Sequence, residues 1–302
     1  MRRNTDLLPS LAIVLTGLLW GTYWIPLREL DAAGLGGPWA TFAPVALGAA
    51  LLAPVAVLRW RRLAAGGWPL AGMGLLCGAA FSLYSNALLM SEIITVILLF
   101  YLTPVWATLL ARVFLGQPIT TTRVLTILLG IAGMAVVLGI DDRIPLPRGL
   151  GDWLSLISGI AWALASVIIR KRGDIAAVDN TIAFLAGSTL AAVVLPLAAM
   201  PAAVAAVDPL ALPFATIAPW LAMTTLVWAV PTMVLMMWGA QRLDPGRVGI
   251  LLMGEVLVGA ASAAVLTDEP FGARQLIGGG LIVAAALIDV LAHPTEADAA
   301  RA

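Results

Sequence analysis

The sequence predicts an all-α integral membrane protein with ten transmembrane helices in two inverted five-helix repeats. Hydrophobic residues make up 61% of the 302 residues and charged residues 11%, whereas charged residues are roughly a quarter of a soluble domain. A bilayer core about 30 Å thick requires roughly 20 apolar residues in a helix. Such runs fill nearly the whole chain, and the two halves share motifs at constant spacing. These observations leave no room for a soluble domain.

The first half contains five candidate helices, which are separated by charges, prolines and Gly-rich turns. The first helix follows Arg2 and Arg3 as a signal peptide would, but no small-residue cleavage site follows, so a retained helix is expected. The third and fourth helices meet near Ser91 and Glu92 with almost no loop, which favours a tight hairpin or a kinked re-entrant turn. The expected helices cover 8–28, 38–58, 68–89, 92–115 and 121–140.

A long polar segment, IDDRIPLPRGLGD from Ile140 to Asp152, separates the two halves. The same boundary signals then predict five more helices. The repeats are therefore expected at 1–145 and 146–302, packed as one membrane domain. The second set of helices is expected at 150–170, 180–200, 213–239, 247–266 and 272–292.

The distribution of basic residues predicts the orientation, because cytoplasmic loops are enriched in Lys and Arg. With the N-terminus inside, only Arg28, Arg143, Arg148 and Arg274 of the 17 Lys and Arg residues fall outside. The other thirteen lie on the cytoplasmic side. Both termini are therefore expected in the cytoplasm.

Two pairs of segments repeat in the same order in the two halves. GLLWGTYWIPLR (17–28) matches GIAWALASVIIR (159–170) in Gly, Trp and Arg, at an offset of 142 residues. ARVFLGQPITTTR (111–123) matches AAVLTDEPFGARQ (263–275) at an offset of 152. Because each half has an odd number of helices, the second half must enter the membrane inverted relative to the first. Such inverted repeats are typical of secondary transporters, whose substrate site lies near the midplane between the halves.

The paired halves, the G-x-x-W helices that end in Arg, the segment LTPVWATLLARVFLGQP (102–118) and the DEP motif (268–270) resemble the drug/metabolite transporter superfamily, EamA-type. Within it, the aromatic-rich sequence is most similar to aromatic amino acid exporters of bacterial inner membranes. The resemblance implies a multi-pass exporter of the inner membrane. Gln117 stands where the family usually has glutamate before proline, and Glu255-Val256 replaces an expected Pro-Val.

Several other classes of function lack the residues they need. The single histidine, His293, lies in the C-terminal tail, so a His-based triad, a haem site or a His-rich metal site is excluded. There is no Gly-rich phosphate loop for an ATP-driven pump. Asp141 and Asp142 give thin support to a metal-dependent enzyme acting on lipids. Cys77 is expected to pack as a small apolar residue. No cofactor, metal or nucleic acid is predicted as a ligand.

Aromatic and polar side chains at helical spacing suggest a chamber between the halves. The sixth helix carries Ser155, Gly159, Trp162 and Ser166 on one face, and the first carries the duplicated positions Ile13, Gly17, Trp20 and Trp24. Tyr84 and Asn86 on the third helix and Thr225 and Trp228 on the eighth add to this set, although hydroxyl groups often bond their own helix. We predict that Trp20, Tyr84, Tyr101, Trp162 and Trp228 form apolar walls, and that Asn86, Thr225 and Glu255 orient the polar ends of a substrate.

Glu255 is the most unusual residue of the chain, since it lies in the apolar run LLMGEVLVGAASAAVL (251–266). Eight residues separate it from Arg247, about 12 Å along a helix, so it is expected near the midplane, opposite the position of Thr103. A charge at that depth costs at least about 2.5 kcal/mol. Proton coupling, recognition of a substrate amine and a neutral structural hydrogen bond all remain open. Asp289, near the end of the last helix, is expected within reach of water.

The sequence therefore predicts a secondary transporter that exports small hydrophobic metabolites, with aromatic and other neutral amino acids as the first expectation. A multidrug or organic-cation exporter of the same fold, with Glu255 as counter-charge, is the main alternative. A membrane-embedded lipid enzyme is a third. The bilayer and a small-molecule substrate are the expected partners. Proton coupling versus facilitated transport, and the oligomeric state, are left open, with a monomer allowed.

Overall fold

The computed structural model describes residues 7–91, 93–139, 147–199, 201–205, 207, 212–266 and 272–292, and every regular element within these ranges is helical. Ten helices in this part of the chain are long and apolar enough to cross a membrane, which confirms the predicted number. We name them span 1 to span 10. Their bounds are Leu7–Ala32, Pro38–Leu58, Trp60–Leu88, Thr95–Leu115, Thr121–Leu138, Leu150–Lys171, Ala177–Ala198, Phe214–Ala240, Pro245–Leu266 and Ala273–Leu291.

Predicted and observed bounds differ mainly at the end of span 1 and the start of span 3. Span 1 continues past a turn at Thr22 and Tyr23 into a second helix, Trp24–Ala32. The helix of span 3 runs Trp60–Met90 and is kinked at Gly67, whose φ of 55° favours glycine. The predicted helix, 68–89, therefore covers only the part of span 3 that follows the kink. Asp141, Asp142 and His293 lie outside the described residues.

Spans 4 and 9 are each broken in the middle. Span 4 is built from helices Ile93–Phe100 and Thr103–Leu115, and span 9 from helices Pro245–Leu252 and Gly254–Leu266. Pro104 accounts for the first break, because it has no N–H to donate to the Phe100 carbonyl. Tyr101 and Met253 in the breaks are 152 residues apart. The breaks therefore lie at equivalent positions of the two halves.

Span 8 is irregular as well, on the N-terminal side of Pro231. A π-helical turn, Thr224–Ala229, joins helices Phe214–Met223 and Val230–Ala240. Pro231 cannot donate to the Val227 carbonyl, and the Thr232 hydroxyl donates to that carbonyl instead at 3.4 Å. The π-helical turn thus begins seven residues before the proline and ends two residues before it.

Glycines of each half pack against the broken span of the other half. A methyl group on Gly17 of span 1 would lie 3.7 Å from the Leu252 carbonyl oxygen. A methyl group on Gly159 of span 6 would lie 2.8 Å from the Phe100 carbonyl oxygen. Gly17 and Gly159 are duplicated positions, and so are Phe100 and Leu252. An approximate twofold relation therefore brings both breaks to the interface of the halves, where small residues allow close approach.

Buried ion pairs join spans 5, 9 and 10 at the end predicted to be cytoplasmic. Arg123 Nη1 lies 2.8 Å from Asp289 Oδ1, and Arg123 Nη2 lies 3.0 Å from Asp244 Oδ1. Asp289 Oδ2 lies 3.8 Å from Arg247 Nε. The Asp289 side chain is 0% exposed, so the expectation that it lies within reach of water is wrong. Its two arginine neighbours compensate the loss of hydration.

The opposite end of spans 5 and 10 carries an uncharged contact at the equivalent positions. The Gln275 amide donates to the Val137 carbonyl at 3.5 Å. Gln275 and Arg123 differ by the repeat offset of 152, and so do Asp289 and Val137. The positions that form an ion pair at one end of these helices thus form a neutral hydrogen bond at the other end.

Candidate functional site

A partly open cavity lies between the two halves, next to both helix breaks, and its empty space is about 580 Å³ including the part open to solvent. Residues of spans 1, 3, 4, 6, 7, 8 and 9 line it, so both halves contribute. Most of its wall is aromatic or aliphatic, and Glu255 is the one acid among the lining residues. They are Trp20, Cys77, Ala80, Phe81, Tyr84, Phe100, Tyr101, Trp162, Phe184, Met233, Met236, Leu252 and Glu255.

Ring contacts hold the aromatic wall together. The Phe81 ring packs edge-on against Trp20 and Phe184, with centroid distances of 5.9 and 6.2 Å. The Tyr84 and Phe100 rings are tilted at 4.6 Å. Such pairs add about 0.5–1.5 kcal/mol beyond the burial of their surface. The wall is therefore a packed aromatic surface that joins spans 1, 3, 4 and 7.

Glu255 lies on the cavity wall in the first turn of the second helix of span 9. Its Oε2 atom lies 2.6 Å from the Tyr101 hydroxyl oxygen, which lies 3.2 Å from the Leu252 carbonyl oxygen. Tyr101 is 3% exposed, while Glu255 is half-buried. The carboxyl group thus meets both a partner from the first half and the open space of the cavity. Its role in substrate binding stays a prediction.

Trp20 lines the same cavity, and its ring carries a donor without a partner among the described residues. Its indole Nε1 is buried and has no hydrogen-bond partner in the part of the chain that the structure describes. Buried polar groups normally find a partner, and a missing one costs about 1–3 kcal/mol. A donor of this kind can be satisfied by an acceptor on a bound molecule.

Five of the eight predicted site residues line the cavity together, namely Trp20, Tyr84, Tyr101, Trp162 and Glu255. They come from spans 1, 3, 4, 6 and 9. The helix faces that carry Trp20 and Trp162 were predicted to oppose each other, and both residues line this one cavity. Ser155 and Ser166, on the same face as Trp162, donate to the Val96 and Trp162 carbonyls at 2.6 and 2.8 Å.

The structure places the other three predicted residues away from this cavity. Asn86 follows Tyr84 by two residues, so its side chain lies on a different face of the helix. Its amide donates to the Ser82 carbonyl at 2.7 Å.

Thr225 lies in the π-helical turn of span 8, and its hydroxyl donates to the Leu221 carbonyl at 2.8 Å. The Trp228 indole donates to the Thr22 hydroxyl at 3.1 Å. Both side chains make contacts within the helix framework.

Sequence reasoning missed Phe81, Phe184, Met233 and Met236, all of which line the cavity. Large apolar side chains in a membrane span do not differ by type from those that face lipid. A helical spacing signal exists in span 3, where the lining residues recur every three or four positions from Cys77 to Tyr84. Met233 and Met236 follow the same spacing in span 8.

The cavity is lined by one acidic side chain, Glu255, and by no basic side chain, since no Arg, Lys or His is among its described lining residues. In the described ranges, no group of three His, Cys, Asp or Glu side chains could hold a metal ion. The chemistry available here is therefore binding by an aromatic surface, one carboxyl group, the hydroxyl groups of Tyr84 and Tyr101, and the indole group of Trp20.

Comparison with known proteins gives two findings. The sequence profile of the EamA-like transporter family matches residues 7–139 and 149–290. A crystal structure of another protein is similar with a TM-score of 0.71 and 20% identity, over 97% of this chain and 98% of that chain. At this identity the likeness shows the fold alone. No curated protein matches the chain. The two matched stretches each contain five spans, which confirms the two-repeat architecture.

Proposed function

Because this chain belongs to the EamA-like transporter family, we propose that it is a secondary transporter that exports small, largely apolar metabolites by alternating access. Aromatic and other neutral amino acids are the proposed cargo. The family consists of membrane transporters, so the chain is a multi-pass transport protein. The resemblance to aromatic amino acid exporters supports the choice of cargo and stays a prediction.

The aromatic cavity next to the two broken spans carries this proposal. Its lining is mostly aromatic and aliphatic with one carboxyl group, which is the usual composition of small-molecule sites. Discontinuous helices near the midplane are where secondary transporters bind their substrates. Aromatic walls favour an aromatic or aliphatic side chain over a strongly hydrated solute.

Two polar groups in the cavity match the two charged ends of an amino acid. The Glu255 carboxylate can accept hydrogen bonds from the substrate ammonium. The Trp20 indole, which lacks a partner among the described residues, can donate to the substrate carboxylate. A site of this type needs few polar groups, because each one fixes the orientation of the ligand.

Transport of phenylalanine in proteoliposomes tests the proposal. We expect wild-type protein to release preloaded radiolabelled phenylalanine faster than empty liposomes, and Glu255→Gln to slow the release about tenfold or more, since a charge-assisted hydrogen bond is lost. Trp153→Phe is a control, because Trp153 is 51% exposed and away from the cavity. Absence of any release of phenylalanine or threonine at every pH would remove this class of substrate.

Export of organic cations is a second candidate, favoured by the absence of any basic residue among the lining residues. Glu255 would then act as counter-charge, and the rings of Trp20, Tyr84 and Phe100 would stabilise the cation through their faces. The amino acid and cation hypotheses differ in one group, the carboxylate of the substrate.

Phenylalanine and phenethylamine form a matched pair that separates these candidates. They share the aromatic ring and the amine, and only phenylalanine has a carboxylate. Thermal stabilisation of the purified protein by phenylalanine alone favours the amino acid cargo, since a bound ligand stabilises by mass action. Stabilisation by phenethylamine alone favours the cation cargo.

We propose that the protein works in the inner membrane of a bacterium, with both termini in the cytoplasm. The excess of basic residues in the predicted cytoplasmic loops supports this orientation. The alternative of a lipid-modifying enzyme has less support, because the family consists of transporters.

A further inference from the structure

The Tyr101 hydroxyl has two acceptors within reach and only one hydrogen. The Glu255 Oε2 atom lies at 2.6 Å and the Leu252 carbonyl oxygen at 3.2 Å. Tyr101 belongs to the break of span 4 in the first half, whereas the two acceptors, Leu252 and Glu255, lie on either side of the break of span 9 at Met253 in the second half. The hydroxyl is therefore a direct link between the two broken spans.

The Leu252 carbonyl needs this link because its own helix does not supply a donor in the usual way. In an unbroken helix the Val256 N–H would donate to Leu252. Here it donates to the Met253 carbonyl at 3.2 Å. A carbonyl group released in this way inside a membrane requires another donor. The Tyr101 hydroxyl is positioned to provide it.

The equivalent carbonyl in the first half is satisfied without any help from the second half. Phe100 corresponds to Leu252, and the Thr103 hydroxyl donates to the Phe100 carbonyl at 2.5 Å. Glu255 occupies the position that corresponds to Thr103. An ionised carboxylate has no hydrogen to donate, so Glu255 cannot do for Leu252 what Thr103 does for Phe100.

We propose that Tyr101 is a positioning residue that switches its hydrogen bond between Glu255 and Leu252 according to the protonation of Glu255. With Glu255 ionised, the Tyr101 hydroxyl donates to the carboxylate. With Glu255 protonated by water that enters the cavity, the carboxyl O–H donates to the Tyr101 oxygen, and Tyr101 donates to the Leu252 carbonyl. The contact between the two broken spans therefore follows the charge of Glu255. Its use in transport rests on the proposed function.

Few other titratable groups face this pair. Tyr84 and Cys77 line the same cavity, and Tyr23 stacks on Trp20 at 4.9 Å. Arg247 on span 9, Arg123 on span 5 and Asp289 on span 10 pair with one another about 12 Å away along the helix axis. The charged residues of span 1 lie in its second helix, at Arg28, Glu29 and Asp31.

Infrared difference spectroscopy of the purified wild-type protein between acidic and alkaline pH tests the switch without any substrate. The carboxyl C=O band of protonated Glu255 should be absent in Glu255→Gln. Tyr101→Phe should shift this band to higher frequency, because the carboxyl O–H loses its acceptor. Tyr84→Phe keeps an aromatic ring in the same cavity and should leave the band in place. An unshifted band in Tyr101→Phe would overturn the proposal.

Substrate release at different pH values then tests the role of the switch in transport. Between about pH 5 and about pH 9, a range that covers buried carboxyl groups, we expect the wild-type rate to change about tenfold. In Tyr101→Phe, the release rate should change less than about twofold over this pH range, whatever its absolute value. Tyr84→Phe should show the wild-type dependence on pH, whatever its absolute rate. A wild-type profile in Tyr101→Phe contradicts the proposal. Absence of transport by the wild-type protein at every pH, together with the expected infrared result, would instead refute the proposed function.

Discussion

Trp20 is the residue whose chemistry distinguishes the two candidate cargoes. Its ring forms part of the cavity wall, and its buried N–H group has no partner within the described residues. A phenylalanine at this position would keep most of the ring surface and remove the donor. Under the proposed function, replacing this indole therefore tests recognition of the substrate carboxylate separately from recognition of the side chain.

We predict that Trp20→Phe weakens phenylalanine binding about tenfold, the size expected for one hydrogen bond to a charged group. Phenethylamine binding should change little, since this ligand has no carboxylate. Competition against radiolabelled phenylalanine measures both affinities on the same protein. Equal losses for the two ligands would show that the indole acts only through its ring.

Glu255 illustrates how far single residues could be predicted from the sequence. Its depth followed from its distance to Arg247, and its presence at the site followed from the cost of a charge in lipid. Its pairing with Tyr101 did not follow, because 154 residues separate them and two helix breaks determine where they meet. Tyr101 was predicted only as an apolar wall, whereas its hydroxyl makes the polar contact.

Helix breaks show the same division between what the sequence predicts and what requires the packed structure. Pro104 and Pro231 in the sequence indicate irregularities in spans 4 and 8, since proline removes a backbone donor. Span 9 has no proline between Pro245 and Leu266 and was expected to be continuous, yet it is broken at Met253. Gly17 of span 1 packs against span 9 at this break. The break therefore coincides with a close contact between the two halves, which the sequence of span 9 alone does not indicate.

Spans 3 and 7 make a close contact through glycines, and this contact yields a prediction on stability. A methyl group on Gly78 would overlap the backbone of Gly187 and Ser188. Gly78→Ala should therefore force the helices apart and lower the free energy of unfolding by about 1–3 kcal/mol. Gly72→Ala is the matched control, because a methyl group there meets nothing within 4 Å.

Thermal unfolding of the two variants in the same detergent provides the comparison. Gly72→Ala should keep the wild-type midpoint or raise it, since alanine reduces the freedom of the unfolded chain. A midpoint for Gly78→Ala equal to that of Gly72→Ala would argue against a tight contact between spans 3 and 7.

The orientation of the whole chain is open to a direct test, because Cys77 is the single cysteine and is buried. In a Cys77→Ala background, Ala32→Cys and Lys171→Cys would each introduce an exposed thiol at opposite predicted ends. A membrane-impermeant maleimide applied to spheroplasts should label position 32, and position 171 only after lysis. The reverse pattern would contradict the predicted orientation.

Architecture was more predictable than binding chemistry across the molecule. Ten apolar runs, their boundaries and the duplicated motifs are local properties of the chain, and a bilayer leaves few other structures for them. The cavity depends on how seven spans meet, so Phe81 and Phe184 could not be separated from lipid-facing residues by type. Asp289 was misjudged for the same reason, since its arginine neighbours come from spans 5 and 9.

The duplicated ends of spans 5 and 10 imply an energetic inequality between the two sides of the membrane. Separating Arg123 from Asp289 parts opposite charges in a medium of low dielectric constant, whereas separating Gln275 from Val137 breaks a bond to a neutral carbonyl. A difference of about 1.4 kcal/mol already populates one form tenfold over the other. We therefore predict that these duplicated positions bias the protein towards the form in which the Arg123 end is closed.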